Sequence, residues 1–366
     1  MAKIKPIAVK FTDLHIEDGA LEVCRGIALQ AIGLAVKLGV KYIINGGDSF
    51  NSRKSQSLNC LILMREILDE CERNGLVMIA IDGNHDKLMY NSEHSYMDVY
   101  SNHPALKLVK RIALFSDIAD GLTVSFASFF SDDNQCSSNA NYVANIKELS
   151  DMASSFKDRV NICVTHHGVD GAKANDGAAV ESDISRKLFE AFDMTLIGHY
   201  HDEVMLGKKI HYVGSCRQAW YNETNDKGFV VINSDGSYER VRSEFKEYVE
   251  ETIHLIGEYN AKIEAAMNIL DKEHPNDFKR LHLTGDKADL RTIDVTAIKA
   301  RGFDVRTTDK TAPVTQGAEE FNYIQFDKSK MAGIFMEFMD EEGIVEDAEM
   351  EYGLEVLGRT LNNNNG

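Results

Sequence analysis

Five short motifs in this chain carry groups able to do metal chemistry: Asp13-Leu14-His15, Gly47-Asp48, Gly83-Asn84-His85-Asp86, His166 within Thr-His-His-Gly, and Gly198-His199-Tyr200-His201. Each offers carboxylate, imidazole or amide donors, the groups that bind borderline divalent metals such as manganese, iron, cobalt or zinc. In D-x-H and G-H-x-H an extended backbone turns residues i and i+2 the same way, so one short segment presents two donors together. Taken singly each motif has a plainer reading. D-x-H occurs by chance, Gly-Asp is usually a turn, GNHD can be a turn with a capping aspartate, and His166 or His167 can be a satisfied core histidine. All five in this order, each behind an apolar run, point to one metal centre. An edge crowded with unpaired Asp and His would be costly without a cation to satisfy it.

The elements that must position these groups alternate along the first two-thirds of the chain. Strands are expected at 4–11, 42–46, 76–81, 161–165, 194–198, 209–214 and 228–233, and helices at 20–38 and 54–74. The first helix has apolar residues at helical spacing and stops at a glycine. Strand–helix–strand repetition implies a layered α/β core, and the motifs sit where such folds place their ligands, just past the strands. Beyond about residue 245 the pattern changes. Leu281 and Leu283 alternate, Leu290, Ile293, Ala297 and Ile298 share a helical face, and Phe303 and Val305 alternate again, a strand–helix–strand unit. A polar linker at 311–326 leads to a helical tail at 327–361, and the asparagine run at the end, 362–366, reads as disordered.

The set D-x-H, GD, GNHD, H and GH-x-H resembles the calcineurin-like metallophosphoesterase superfamily. Within it the chain resembles the SbcD branch, nuclease subunits of recombination and repair complexes. His166-His167-Gly168 resembles the His-x-Gly signature of that branch, and HYVGSCRQAWYNETNDKGFVVI (211–232) resembles its segment after G-H-x-H. The resemblance implies a layered β-sandwich flanked by helices over 1–245, a small α+β capping domain over 246–310, and a C-terminal helix–loop–helix. It implies two divalent ions, usually manganese. Asp13, His15, Asp48 and His201 would hold one, Asp48, Asn84, His166 and His199 the other, with Asp48 bridging. His85 would face the phosphate, stabilising the transition state or protonating the leaving oxygen, and Asp86 would hold the His85 ring or cap the turn. The chain departs from the pattern at Asn51, where Asp or His is usual; an amide cannot shuttle protons as histidine does. Arg53 and Lys54 read either as phosphate contacts or as ordinary surface charges, and His94, His211 and His254 as structural.

The resemblance further implies DNA as substrate and an SbcC-type coiled-coil ATPase as partner, docked through the tail. There Met331, Ile334, Phe335, Phe338 and Met339 form one helical stripe, and Met350, Leu354 and Leu357 a second. Residues 331–358 hold nine acidic side chains and no basic one, which suits a basic partner. The family also dimerises through helices after Gly-Asp and GNHD. The first of these would be 56–73 with Leu58, Leu61, Leu63, Met64, Ile67 and Leu68, although core packing explains the same residues. Against a free-standing DNA binder stands the charge: 40 Lys and Arg against 58 Asp and Glu, a net −18. That balance favours an alternative, a stand-alone phosphatase or phosphodiesterase acting on a small molecule or phosphoprotein. A third reading, a metal-stabilised scaffold without turnover, is opposed by an intact His85. No G-x-x-x-x-G-K-[ST] loop occurs, so any ATP dependence must come from a partner. Six scattered cysteines without a C-x-x-C pair, no signal-peptide pattern and no apolar stretch approaching about 20 residues lead to the expectation of a reduced, cytoplasmic protein with no membrane role.

Overall fold

The computed structural model describes residues 4–310 except 176 and 258; the linker at 311–326, the helix pair expected at 327–361 and the end at 362–366 lie outside the described residues. Strands β1 (Pro6–Phe11), β2 (Tyr42–Asn45), β3 (Val77–Ile81) and β4 (Leu106–Val109) run parallel. Next along the chain come β5 (Ile112–Ala119), β6 (Leu122–Ala127), β7 (Val160–His166), β8 (Met194–Gly198), β9 (Glu203–Met205) and β10 (Ile210–Val213). They are followed by β11 (Gly228–Asn233) and β12 (Tyr238–Arg242). Two six-stranded sheets result, ordered β12-β11-β1-β2-β3-β4 and β5-β6-β7-β8-β10-β9. The mixed α/β class expected from the sequence is the class observed.

Successive side chains on a strand point to opposite faces, and here both faces are covered. Ala8, Ile44, Ile79 and Ile81 pack with Val124, Phe126, Ile162, Val164 and Leu196 into a core shared by the two sheets. Their neighbours Val9, Ile43, Met78 and Ala80 face the other way, into a core with helices α1 (Leu21–Leu38) and α2 (Leu58–Arg73). Helix α3 (Ala140–Ser154) covers the second sheet through Tyr142, Ile146 and Leu149. Coverage on both faces is why the central strands read as unbroken apolar runs.

The helices follow from spacing. In α1, Cys24, Ile27, Ala28, Ala31, Ile32 and Ala35 are buried, and in α2, Cys60, Leu63, Met64, Ile67, Leu68 and Cys71. Both sets fall at i, i+3, i+4, i+7, i+8 and i+11, one face of a 3.6-residue helix. Gly39, at φ 68°, ends α1 with its N–H directed to Ala35 and Val36 carbonyls. Helix α2 begins later than expected from the sequence because the Ser57 side chain accepts from the Cys60 N–H and sets the N-terminus there. Leu63, Met64, Ile67 and Leu68 are thus committed to the chain's own core, while Leu58 and Ile62 face outward. One expectation is corrected. The stretch Asp18–Leu38 is long and apolar enough to cross a membrane, with 21 residues of mean hydropathy 1.4. Its apolar face is buried against β1 and α2, so in this fold it is a core helix.

Past the two six-stranded sheets, β13 (Tyr248–His254), β14 (Phe278–Gly285) and β15 (Phe303–Asp309) form a three-stranded sheet ordered β13-β14-β15, with helix α4 (Tyr259–Glu273) between the first two along the chain. β13 and β14 are parallel, which requires the crossover that α4 provides. Ile253, Ile263, Met267, Leu281, Leu283, Ile298 and Phe303 make a separate core. The single helix expected between Leu290 and Ile298 is instead two short ones, Lys287–Leu290 and Val295–Ala300, the second capped by the Asp294 side chain.

Candidate metal centre

Each motif leaves the carboxyl end of a parallel strand. Asp13 and His15 follow β1, Asp48 follows β2, Asn84 and His85 follow β3, His166 ends β7, and His199 and His201 follow β8. Face-to-face packing of the two sheets brings these strand ends together. The loops are tight. Five non-glycine residues have positive φ among the described residues, and four are candidate ligands: Asp13 at 56°, His15 at 48°, Asp48 at 53° and His199 at 88°. Such backbones persist only where surrounding contacts over-determine them. Here the Asp13 N–H donates to the Gly47 carbonyl (3.0 Å), the His15 N–H to the Asp48 carbonyl (3.1 Å) and the His199 N–H to the Asp13 carboxylate (3.1 Å). Glycine is obligatory at two positions of close approach. A Cβ at Gly83 would overlap the Asp48 carboxylate, and one at Gly198 would strike Thr12 and the His166 ring.

The donors form two groups about one carboxylate. His15 Nε2 lies 3.0 Å from His201 Nε2, 4.0 Å from Asp13 Oδ1 and 3.7 Å from Asp48 Oδ2. His201 Nε2 is 3.8 Å from Asp13 Oδ1. In the second group His166 Nε2 lies 3.2 Å from Asp48 Oδ2, and His199 Nδ1 lies 2.8 Å from Asn84 Oδ1. Two donors each about 2.1 Å from one ion stand at most about 4.2 Å apart, and every one of these spacings is within that limit, so each group can share a cation. The same Asp48 oxygen faces both. His166 Nε2 and His15 Nδ1 are buried without a hydrogen-bond partner, a cost that a ligated cation removes directly for His166. The ligands required by the sequence reading — Asp13, His15, Asp48, Asn84, His166, His199 and His201 — are therefore gathered in one place.

Electrostatics match that demand. Burial would raise the Asp48 carboxyl, but the imidazoles of His166, His85 and His15 outweigh it and hold it well below the usual carboxylate range. Burial would lower His166, yet the Asp48 charge beside it pushes it up to about 9. Asp48 thus attracts a positive charge to the point between the groups. His15 and His199 are driven well below the usual imidazole value, chiefly by burial, and so are neutral donors.

His85 stands beside this centre. Its N–H donates to Asp48 Oδ1 (2.8 Å), its ring meets the His15 ring edge-on at 4.8 Å, and its Nδ1 lies 2.6 Å from the Asn51 carbonyl. That bond places the ring proton on Nδ1 and leaves Nε2 for the reacting group. Position 51 therefore meets His85 through its backbone, while the Asn51 amide donates to Glu17 (2.8 Å). Asp86 ties the loops: Oδ1 accepts from the N–H groups of Ser49 (2.9 Å) and Phe50 (3.2 Å), and Oδ2 from Gly83 (2.8 Å). His167 is packed on Phe129 at 4.7 Å, with Nε2 3.2 Å from the Phe130 carbonyl. His94 is exposed beside Asp98, His211 bonds the Tyr238 hydroxyl, and His254 contacts Thr284.

Three residues of the 214–227 loop were not singled out from the sequence. Glu223 accepts from His201 Nδ1 at 2.6 Å, fixing which nitrogen faces the centre. Lys227, fully buried, reaches the His201 carbonyl (2.7 Å), Glu223 (3.2 Å) and Asp202 (3.0 Å). Arg217, also fully buried, donates to the carbonyls of Leu14 (2.8 Å) and His15 (2.6 Å). The available signal was the charged residues in the 211–232 segment, but their partners are distant in sequence. A further cluster, Asp69, Glu72 and His103, is of another kind. His103 Nδ1 accepts from the Ala105 N–H (3.2 Å), so Nε2 carries the proton and donates to Asp69 (3.0 Å). Ligation through Nε2 would force a proton onto Nδ1 against that N–H, so the cluster is a hydrogen-bonded pair.

No model of a known family matches the chain, and no curated protein does. By structure it is similar to a dimetal phosphatase from Danio rerio (TM-score 0.40, 8% identity, covering 57% of this chain and 86% of that one). It is also similar to the calcineurin-like phosphoesterase YfkN from Bacillus subtilis (TM-score 0.40, 12% identity, 75% and 97%). A third is a cold-active protein-tyrosine phosphatase of a Shewanella species (TM-score 0.32, 14% identity, 64% and 80%). The overlap is partial in each case, and the chemical reading rests on this chain's own donors.

Proposed function

We propose that this chain hydrolyses phosphodiester bonds with two divalent ions, manganese in its working form, and that its substrate is DNA. The observation that carries the reading is the Asp48 carboxylate, one oxygen of which faces a donor group on either side. Asp13, His15 and His201 would hold one ion with Asp48, and Asn84, His166 and His199 the other. When bound, such a pair supplies Lewis acidity that lowers the pKa of a water and neutralises charge building on phosphorus. The chain's own residues do the rest. Asp48 fixes the spacing of the two groups. Glu223 keeps the His201 proton on Nδ1. His85, aimed by the Asn51 carbonyl, presents Nε2 to the phosphate or the leaving oxygen; with Nδ1–H spent on that carbonyl, it is the protonated ring that supplies the hydrogen bond or proton needed as the ester bond breaks.

The step to DNA and to an SbcC-type ATPase partner is supported by the motif order, by the segment 211–232 and by the tail's apolar stripes. The net charge of −18 supports the rival, a small-molecule or phosphoprotein phosphatase, because a two-metal site does not choose its substrate. The deciding experiment compares manganese-dependent nicking and exonucleolytic release from plasmid DNA with hydrolysis of p-nitrophenyl phosphate esters, with and without the ATPase. DNA cleavage lost in chelator and restored by manganese is expected. Efficient monoester hydrolysis with intact DNA would favour the phosphatase.

A further inference from the structure

Arg53 lies where the two metal-binding loops close on each other. It is five positions beyond Asp48, and Tyr90, on whose ring its guanidinium carbon rests at 3.9 Å, is five beyond His85. The loops are already joined by Asp86 to Ser49 and Phe50 and by His85 to the Asn51 carbonyl. The Tyr96 hydroxyl donates to the Arg53 carbonyl (2.8 Å), and Tyr90 is itself set edge-on against Phe129 at 5.0 Å. Both backbone and guanidinium are thus held in place. Two residues separate Arg53 from Asn51, at most about 7 Å of chain from the carbonyl that orients His85.

Among the described residues the charge on Arg53 is not neutralised. Three other cations around the centre have carboxylates: Arg217 has Glu17, Lys227 has Glu223 and Asp202, and Lys110 has Asp82 and Asp98. Lys87 donates to the Ser92 carbonyl, and Lys10 is fully buried under Gly46, out of reach of a ligand. Among the described residues no carboxylate pairs with Arg53, and its Nε is buried with no hydrogen-bond partner. In a chain of net charge −18, a pre-set guanidinium with open donors beside a phosphoester centre is a site for an anion. A planar fork of this kind suits phosphate oxygens. The two metal groups already claim the phosphate under attack, so the anion left for Arg53 is a neighbouring one.

We infer that Arg53 binds the phosphate next to the one being hydrolysed, so that the centre selects esters bearing a second phosphate, as a polynucleotide does, over isolated esters. The inference rests on the phosphodiesterase reading above and deepens it. The cation–π contact with Tyr90 then serves to hold the fork rather than merely to staple the loops.

The test measures kcat and KM, with manganese, for four esters: bis(p-nitrophenyl) phosphate, unphosphorylated dithymidylate, and dithymidylate with a 5′- or a 3′-phosphate. For the wild type, one terminal phosphate should raise kcat/KM by about 10–100-fold, the usual worth of a charge-assisted hydrogen bond. Arg53→Ala should erase that gain, mostly through KM, and Arg53→Lys should keep part of it. If neither phosphate helps the wild type, the inference falls. It falls equally if Arg53→Ala retains the gain, or slows all four esters by the same factor as a loop staple would. Those results leave the phosphodiesterase reading standing. No hydrolysis of any ester by the metal-loaded wild type would remove both.

Discussion

At the scale of single residues, the proposed centre separates side chains that would hold ions from those that would act beside them. Asp48 serves both donor groups through one oxygen, whereas His85 is anchored to Asn51 and keeps Nε2 free. His85→Gln is therefore expected to retain two ions per chain by metal analysis while slowing turnover by roughly 10²–10⁴-fold. Asp48→Ala should lose metal. The opposite pattern would reverse the two roles. Glu223 acts one step further out. Its carboxylate holds His201 Nδ1 at 2.6 Å, and Glu223→Gln should weaken manganese binding about 10–100-fold by calorimetric titration. Unchanged affinity would reduce Glu223 to a loop contact. The candidate ligands were legible in the sequence, because each follows an apolar strand within a few residues. The sequence could not place Glu223, whose partner lies 22 positions back and is met only through a loop.

At the scale of elements, the metal loops are as firm as the helices that follow them. Helix α2 comes directly after the loop carrying Asp48 and Arg53 and docks by Cys60, Leu63, Met64, Ile67, Leu68 and Cys71. Ile67, 3% exposed, should cost about 2–5 kcal/mol when replaced by alanine, read as a lower urea midpoint. Leu58, on the same helix but 71% exposed, should shift stability by no more than about 0.5 kcal/mol. Equal losses at both would mean that α2 is packed through its outer face, as a dimer helix would be. Elements were legible where one face is apolar at a clear period, as in α1, α2, β3 and β11. Residues 104–154 gave no element from sequence. There β6 carries Thr123 and Ser125 between Leu122, Val124 and Phe126, and all five are buried. Polar residues inside a doubly covered strand break the apolar run on which the reading depends.

At the scale of the whole molecule, the proposal rests on charge and on the tail sequence. With 58 acidic residues against 40 basic ones, the isolated chain has little surface to neutralise DNA phosphates. Its DNA affinity should be weak, should fall steeply with salt, and should strengthen when the ATPase is added. Tight, salt-insensitive binding by the chain alone would contradict this. Deleting residues 322–366 should abolish co-purification with the ATPase while sparing manganese-dependent cleavage of a small diester. Retention of the partner at unchanged affinity would move the docking site elsewhere.

By itself the sequence determined the donor types, their order and their placement at strand ends, because strand periodicity and turn glycines act over a few residues. It also determined the charge balance that argues against a free-standing DNA binder. The tertiary structure decided the rest. His15 and His201 meet at 3.0 Å across 186 positions. That contact depends on the order of strands in two sheets and on the face through which they pack, which local spacing does not encode. The same packing turned Arg217 and Lys227 from ordinary charges into fully buried anchors of ligand backbone. It also left Arg53, among the described residues, as a fixed cation without a carboxylate. Burial and pairing of charges are properties of the assembled layers, and only their assembly could assign them.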